Sequence, residues 1–201
     1  MTIYTLPCIA DTLLSSGNAT TNFGTEAYFS IGYSTYTYRS LVKFNLALLP
    51  AGTINSATMS LWAYQDAANQ NSTWNLRRFL VDWGETTATH QTRNGVNAWD
   101  INGGVGEADI DAGTMGTLSV ANNKAVGQWD ITVDAAELHK MHVGIYQNYG
   151  WNIVSSMENT SLWAARSREY ATAGERPILT VDLTPAGGNN QCVTLSDYGV
   201  L

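Results

Sequence analysis

The chain has 201 residues, with 10 Lys and Arg against 17 Asp and Glu, a formal net charge of -7, and only 13% charged residues. A phosphate-binding surface needs clustered Lys and Arg to release counterions; no basic run exists here, so nucleic acid is not an expected partner. No apolar run approaches the length of a membrane span, so no membrane partner is expected. Seven Trp and ten Tyr among many Thr, Ser, Asn and Gly describe a neutral polar surface decorated with aromatic rings.

Met1 is followed almost at once by strand-like sequence. A charged n-region, an apolar h-region and a small-residue cleavage site are all missing. The expectation is an intracellular product or a chain whose signal has been removed. Alternation of period two then marks strands. Val42, Phe44 and Leu46 share a face opposite Lys43 and Asn45. Ala57, Met59, Leu61 and Ala63 share one opposite Thr58, Ser60, Trp62 and Tyr64. Residues 101–117 break the alternation with Gly103, Gly104, Gly106, Gly113 and Gly116, and read as a long surface loop or an insertion.

Asp134-Ala135-Ala136-Glu137 reads as a capping box. Leu138 and Met141 follow three apart on one face, which predicts a helix over 134–142. Leu179, Val181 and Leu183 alternate with Thr180 and Asp182 in a last strand. Beyond Pro185 a Gly-Gly-Asn-Asn linker leads to an apolar segment from Val193 to Leu201. The prediction is an all-β chain: an antiparallel two-sheet jelly-roll-type β-sandwich with one short helix over 1–185, then a C-terminal extension over 186–201.

Several segments carry a family pattern. Ala10-Asp11-Thr12-Leu13-Leu14-Ser15-Ser16-Gly17-Asn18 is followed by Thr21-Asn22-Phe23-Gly24. Tyr38-Arg39-Ser40-Leu41-Val42-Lys43-Phe44-Asn45-Leu46 is closed by Leu49-Pro50. Asp130-Ile131-Thr132-Val133 fits as well. Ser167-Arg168-Glu169 and Arg176-Pro177-Ile178-Leu179-Thr180-Val181 come late. Together these resemble the DNRLRE domain, a β-sandwich module, with Asp11, Asn22, Arg39, Leu41, Arg168 and Glu169 at its six named positions. The resemblance implies one of two settings: carbohydrate-binding modules of secreted polysaccharide-degrading or cell-surface proteins, or virus-encoded structural proteins.

Arg39 and Glu169 are expected to form an internal ion pair that pins an early strand to a late one. Strand alternation would send Arg168 to the opposite face from Glu169. Asp11 and Asn22 are candidates for a structural calcium site or for hydrogen bonds to turn backbone. Asp100, Glu107, Asp109 and Asp111 read as a solvated acidic loop, because their spacing does not match an EF-hand. Tyr33, Tyr36, Tyr38, Trp62 and Tyr64 are candidates for stacking on sugars or for a protein interface. His139 and His142 lie three apart, with His90 elsewhere, and do not complete a zinc set. No nucleophile elbow, phosphate loop or His-Glu-x-x-His is present, so no enzyme and no cofactor is expected. Cys8 and Cys192 are expected as reduced thiols, with a disulfide as the alternative.

The expected function is a non-enzymatic virion surface component of a bacteriophage, a head-decoration or tail-associated protein. Its partners would be neighbouring subunits of a large homo-oligomeric assembly, contacted through the C-terminal extension, and glycans. The alternative is a secreted carbohydrate-binding module of a polysaccharide-active enzyme or adhesin.

Overall fold

A computed structural model describes residues 1–66, 70–122 and 124–187. Ten strands run in the order β1 (Thr2–Ser15), β2 (Tyr28–Tyr33), β3 (Thr37–Phe44), β4 (Gly52–Asp66), β5 (Ser72–Arg78), β6 (Gly116–Val120), β7 (Gly127–Val133), β8 (Trp151–Ser155), β9 (Leu162–Arg166) and β10 (Ile178–Pro185), with helix α1 (Ala135–His142) between β7 and β8. All pairings are antiparallel. The all-β class with one short helix is as predicted.

The strands do not separate into two sheets. Hydrogen bonding runs β1-β10-β4-β7-β6-β5-β8-β3 and closes back on β1, with β2 and β9 bridging β3 to β4. Two long strands cause the closure. β1 pairs with β10 up to Pro7, bulges between Cys8 and Ala10, and pairs with β3 from there. β4 pairs with β10 and β7, then with β9 from Ala63. A bulge bends and twists a strand, so each long strand turns from one wall into the other. The closed circuit leaves these eight strands no free edge.

The predicted alternation holds on the interior face. Met59, Leu61, Ala63, Val42, Phe44, Leu179, Val181 and Leu183 are all buried. The indoles of Trp129 and Trp163 pack on Trp74 at centroid distances of 5.3 and 5.8 Å. Trp74, Trp83, Trp99, Trp129, Trp151 and Trp163 are all buried. The tryptophans are therefore mostly interior, with Trp62 the one left half-buried, whereas none of the described tyrosines is fully buried.

The glycine-rich stretch is not a free surface loop. Residues 79–115 fold across the outer face of β1, β3 and β8 as a cap with its own core: Leu14, Leu41, Phe79, Trp83, Ala88, Trp99 and Ile110. Asp109, 3% exposed, accepts from the N–H groups of Asp100, Ile101 and Gly106 at 2.9–3.2 Å, so it organises backbone and is not solvated. Gly104 adopts φ +64°, and a Cβ there would come within 3.2 Å of Phe79 and Trp99. The glycine is what lets the cap lie flat on its rings.

The helix begins as predicted: Asp134 Oδ1 accepts from Ala136 N and Glu137 N at 2.9 and 3.0 Å, and Leu138 and Met141 are buried. Glu137 does not reach back to the cap; it pairs with Lys140. Cys192 and most of the 186–201 extension lie outside the described residues, as does any pairing of Cys8 with Cys192. The last strand hands over beside Ala51, whose carbonyl accepts from Ala186 N at 2.8 Å.

Candidate functional site

Four of the six family-motif positions converge on one network. Asp11 lies opposite Val42 in the β1–β3 register and so faces the interior. It is 2% exposed. Its Oδ2 accepts from Arg168 N at 2.8 Å and lies 3.8 Å from the Cys8 thiol. Its backbone N–H donates to Glu85 Oε1 at 2.9 Å. Arg168 donates through Nε and Nη2 to both oxygens of Glu85, and its Nε lies 2.9 Å from Glu169 Oε1. Asn22 Nδ2 donates to the carbonyls of Glu85 and Ala88 at 2.7 Å each, and Asn22 Oδ1 accepts from Gly24 N at 3.1 Å. The network ties the first strand, the cap and the turn after β9 together.

Glu85, which sits at its centre, was not singled out by the sequence. It lies in irregular backbone, where no period marks a facing residue. Arg168 and Glu169 both reach the network because 167–170 is a turn, where strand alternation does not apply.

The predicted Arg39–Glu169 pair does not form. Arg39 lies opposite Leu14 and so on the cap side of the sheet, whereas the Asp11 side chain, opposite Val42, takes the other face. Arg39 instead grips Glu158 in a two-pronged pair, Nε–Oε1 2.7 Å and Nη2–Oε2 2.6 Å, and donates to Asn102 O at 3.3 Å. Leu41 packs in the cap core. The arginine is thus held by a carboxylate in the turn after β8, not by one on a late strand.

Burial and the facing carboxylates of Glu169 and Glu85 push Asp11 up to about 8, against the N–H of Arg168, which works in the other direction. Burial also raises the Cys8 thiol. Oxygens of Asp11, Glu85 and Glu169 lie within 4.8 Å of one another, close enough to grip one cation. The cation the chain itself supplies is Arg168. Calcium takes six to eight oxygens. Here Asn22 has its amide committed to backbone, and Arg168 is already bonded to Glu85 and close to Glu169. These residues therefore do not make a complete calcium cage.

The five expected aromatic residues fall into two groups. Tyr33, Tyr36 and Tyr38 belong to the β2–β3 hairpin. Tyr38 leans on the main core, and the Tyr36 ring lies over Gly17, where a Cβ would come within 2.3 Å of it. Trp62 and Tyr64 project from the outer face of β4. Tyr64 meets Tyr28 edge-on at 6.2 Å. The Arg166 guanidinium lies between Tyr64 and Tyr170, 4.0 and 3.9 Å from their ring centres, and 3.6 Å from Glu175. Among the described residues no ring contact joins the hairpin tyrosines to Trp62 or Tyr64. Tyr28, Arg166 and Tyr170 are the members the sequence did not nominate, because only the pairing of β9 with β2 and β4 brings them to this face.

Trp62 lies opposite Gln128. It lines a shallow notch with Ser60, Gln128, Gly174, Glu175 and Arg176. Larger clefts occur beside Arg77, Leu80 and Ile110 (≈ 420 Å³) and beside Asn22, Thr87 and Thr92 (≈ 380 Å³), and neither carries an aromatic ring. His139 and His142 have ring centres 6.2 Å apart, and no third ligand joins them among the described residues.

The fold is a closed, β-rich module whose outer face at β4 and β9 carries rings and hydrogen-bonding groups. Residues 2–102, half of the chain, match the model of carbohydrate-binding module family 96, and the chain belongs to that family. The matched half includes Asp11, Asn22, Arg39, Leu41, Trp62 and most of the cap. No curated protein matches the chain.

Proposed function

We propose that the chain is a non-catalytic module that attaches to glycans through the outer face of β4, with Trp62 as the ring on which a sugar stacks. Membership of the carbohydrate-binding family is the observation that carries this reading. It shifts the weight from a phage virion component to the module of a secreted polysaccharide-active enzyme or adhesin. The physical support is local. A half-exposed indole offers a flat apolar surface for the C–H face of a pyranose, with a polar edge that tolerates water. Gln128, Glu175 and Arg176 stand at its rim to meet hydroxyls. Membership does not by itself choose a face, because function lies in sites grafted on a fold.

Affinity gel electrophoresis through soluble β-glucan, xylan, mannan and polyuronate tests the reading. The wild-type chain is expected to be retarded in at least one gel, and Trp62→Ala to run unretarded with an unchanged unfolding midpoint. Retardation that survives the substitution would move the site away from β4. A wild-type chain that no gel retards would overturn the glycan reading.

A further inference from the structure

We infer that the cleft between the turn at residues 19–22 and the cap is a second glycan site, which takes a neutral sugar through hydroxyl and amide groups with no ring to stack on; its ligand class rests on the glycan reading above, its place does not. Five threonines line this cleft with Asn22, Gln91 and Gly95, and its volume is ≈ 380 Å³. Small-molecule sites run from about 300 to 1,000 Å³, so a sugar has room here. None of the eight lining residues is charged. The cleft beside Arg77, of similar size, carries Glu107 and Asp111 as well as the arginine. All eight also fall within residues 2–102, the half that matches the carbohydrate-binding family. The Trp62 notch, by contrast, is completed by Gln128, Glu175 and Arg176, outside that half.

The floor of the cleft is fixed and its rim is free to bind. Asn22 Nδ2 joins the turn to the cap through the carbonyls of Glu85 and Ala88, and Gln91 N donates to Ala19 O at 3.2 Å beside it. The hydroxyls of Thr89 and Thr92 meet at 3.1 Å. Thr89 Oγ1 also accepts from the N–H groups of Gln91 and Thr92 at 3.2 and 3.0 Å, and the Thr89 carbonyl accepts from Trp99 Nε1 at 2.8 Å. Around this floor Thr20, Thr86 and Gln91 are exposed, and no hydrogen bond among the described residues engages their side chains. Thr87 Oγ1 reaches Gly84 O only at 3.5 Å. A threonine hydroxyl and a primary amide each donate and accept, as sugar hydroxyls require, and every threonine adds a methyl group for sugar C–H. A floor ordered before binding spares the ligand that cost. Each hydrogen bond exchanged with water is worth only about twofold to tenfold in affinity. The cleft alone is therefore too weak to retard the chain in a gel, and Trp62→Ala still abolishes retention.

The test is NMR of the full isotope-labelled chain, titrated at millimolar concentration with cellobiose, xylobiose, mannobiose, lactose and a diuronate. Saturable shifts are expected at the amides of Thr86, Thr87 and Thr92 and at the Gln91 side chain with at least one neutral disaccharide, and they persist in Trp62→Ala. Thr86→Val combined with Gln91→Ala removes no side-chain hydrogen bond of the fold. It is expected to leave the unfolding midpoint unchanged and to weaken binding at the cleft at least about fivefold. Shifts confined to β4 around Trp62 overturn this inference and leave the glycan reading intact. So does a cleft affinity that the double variant leaves unchanged, a cleft that prefers the diuronate, or the absence of any saturable shift in a chain that the gels retard. A folded chain that neither shifts with any sugar nor is retarded in any gel overturns both.

Discussion

Arg166 and Arg168 stand two residues apart and meet opposite surroundings. Arg166 ends β9 on the outer face and is held between the rings of Tyr64 and Tyr170. Arg168 lies in the following turn among Asp11, Glu85 and Glu169. The turn makes the difference: it releases the chain from the sheet and aims the second arginine at the first strand and the cap. The two side chains are exposed to a similar degree, 24% for Arg166 and 36% for Arg168, so their partners and not their solvation set them apart. Arg168 is held by hydrogen-bonded counter-charge, whereas Arg166 is ordered by two ring faces with one carboxylate at 3.6 Å. One arginine therefore belongs to the fold and the other to the frame of the proposed binding face.

The comparison predicts the largest loss at Arg168. Arg168→Ala leaves the carboxylates of Glu85 and Glu169 beside the buried Asp11 without their cation. A fully buried pair broken on one side costs about 3–5 kcal/mol. Arg168 is 36% exposed and Glu85 16%, so solvent screening reduces the expected cost to roughly 2–3 kcal/mol. The urea midpoint measures it, and an unchanged midpoint would show that the network does not hold the fold.

Asp11 gives the same network a pH signature. Its folded value of about 8 stands above the ordinary 3.8, so the folded state keeps a proton that the unfolded chain releases. Stability from this group is full below about 4 and is lost as pH rises towards 8. Asp11→Asn, which carries no charge at any pH, is expected to flatten the fall in unfolding free energy between those values. A slope that persists in the variant would place its source elsewhere.

Much of this was legible in the sequence, and what was not has physical causes. Strand period exposed the interior faces of β3, β4 and β10, because side-chain direction alternates regardless of partner. The Asp134 cap was legible because capping is local. The carboxylate for Arg39 was not, since choosing between Glu158 and Glu169 needs the register of β3 on β1, which determines the face each side chain takes. Glu85 and the cap were hidden for a related reason: residues 79–115 pack by close approach at Gly103 and Gly104, and glycine in sequence reads as a loop whether it is solvated or pressed against rings. Counting tryptophans could not separate core from surface. Only Trp62 kept its outward place, and the polar side of the β4 alternation had already marked it.

Arg166→Ala is the next expected effect in size. It removes two guanidinium–ring contacts, each worth about 0.5–1 kcal/mol at an exposed site, for a total of roughly 1–2 kcal/mol in the urea midpoint. Tyr170 and residues 173–175 lose their anchor on β9, so faster amide exchange at Gly174 and Glu175 is expected. Protection unchanged from wild type would show that the wall of the notch is held by Arg176 alone.

Trp62→Ala is expected to have the smallest effect on the fold. Trp62 contributes no ring to the interior clusters, and an outward position on a strand shifts stability by at most about 1 kcal/mol. Its backbone pairing with Gln128 does not depend on the side chain. The same substitution should have the largest effect on glycan retention, because no other indole is available to replace it. The two measurements together separate the faces of the molecule. A residue that belongs to the fold loses stability and binding in proportion, as Arg168→Ala should through partial unfolding. A residue that belongs to the binding face loses binding alone. If Trp62→Ala lowers the unfolding midpoint as far as Arg168→Ala does, the ring is part of the packing between β4 and residues 174–176, and the outer face is structural on both of its sides.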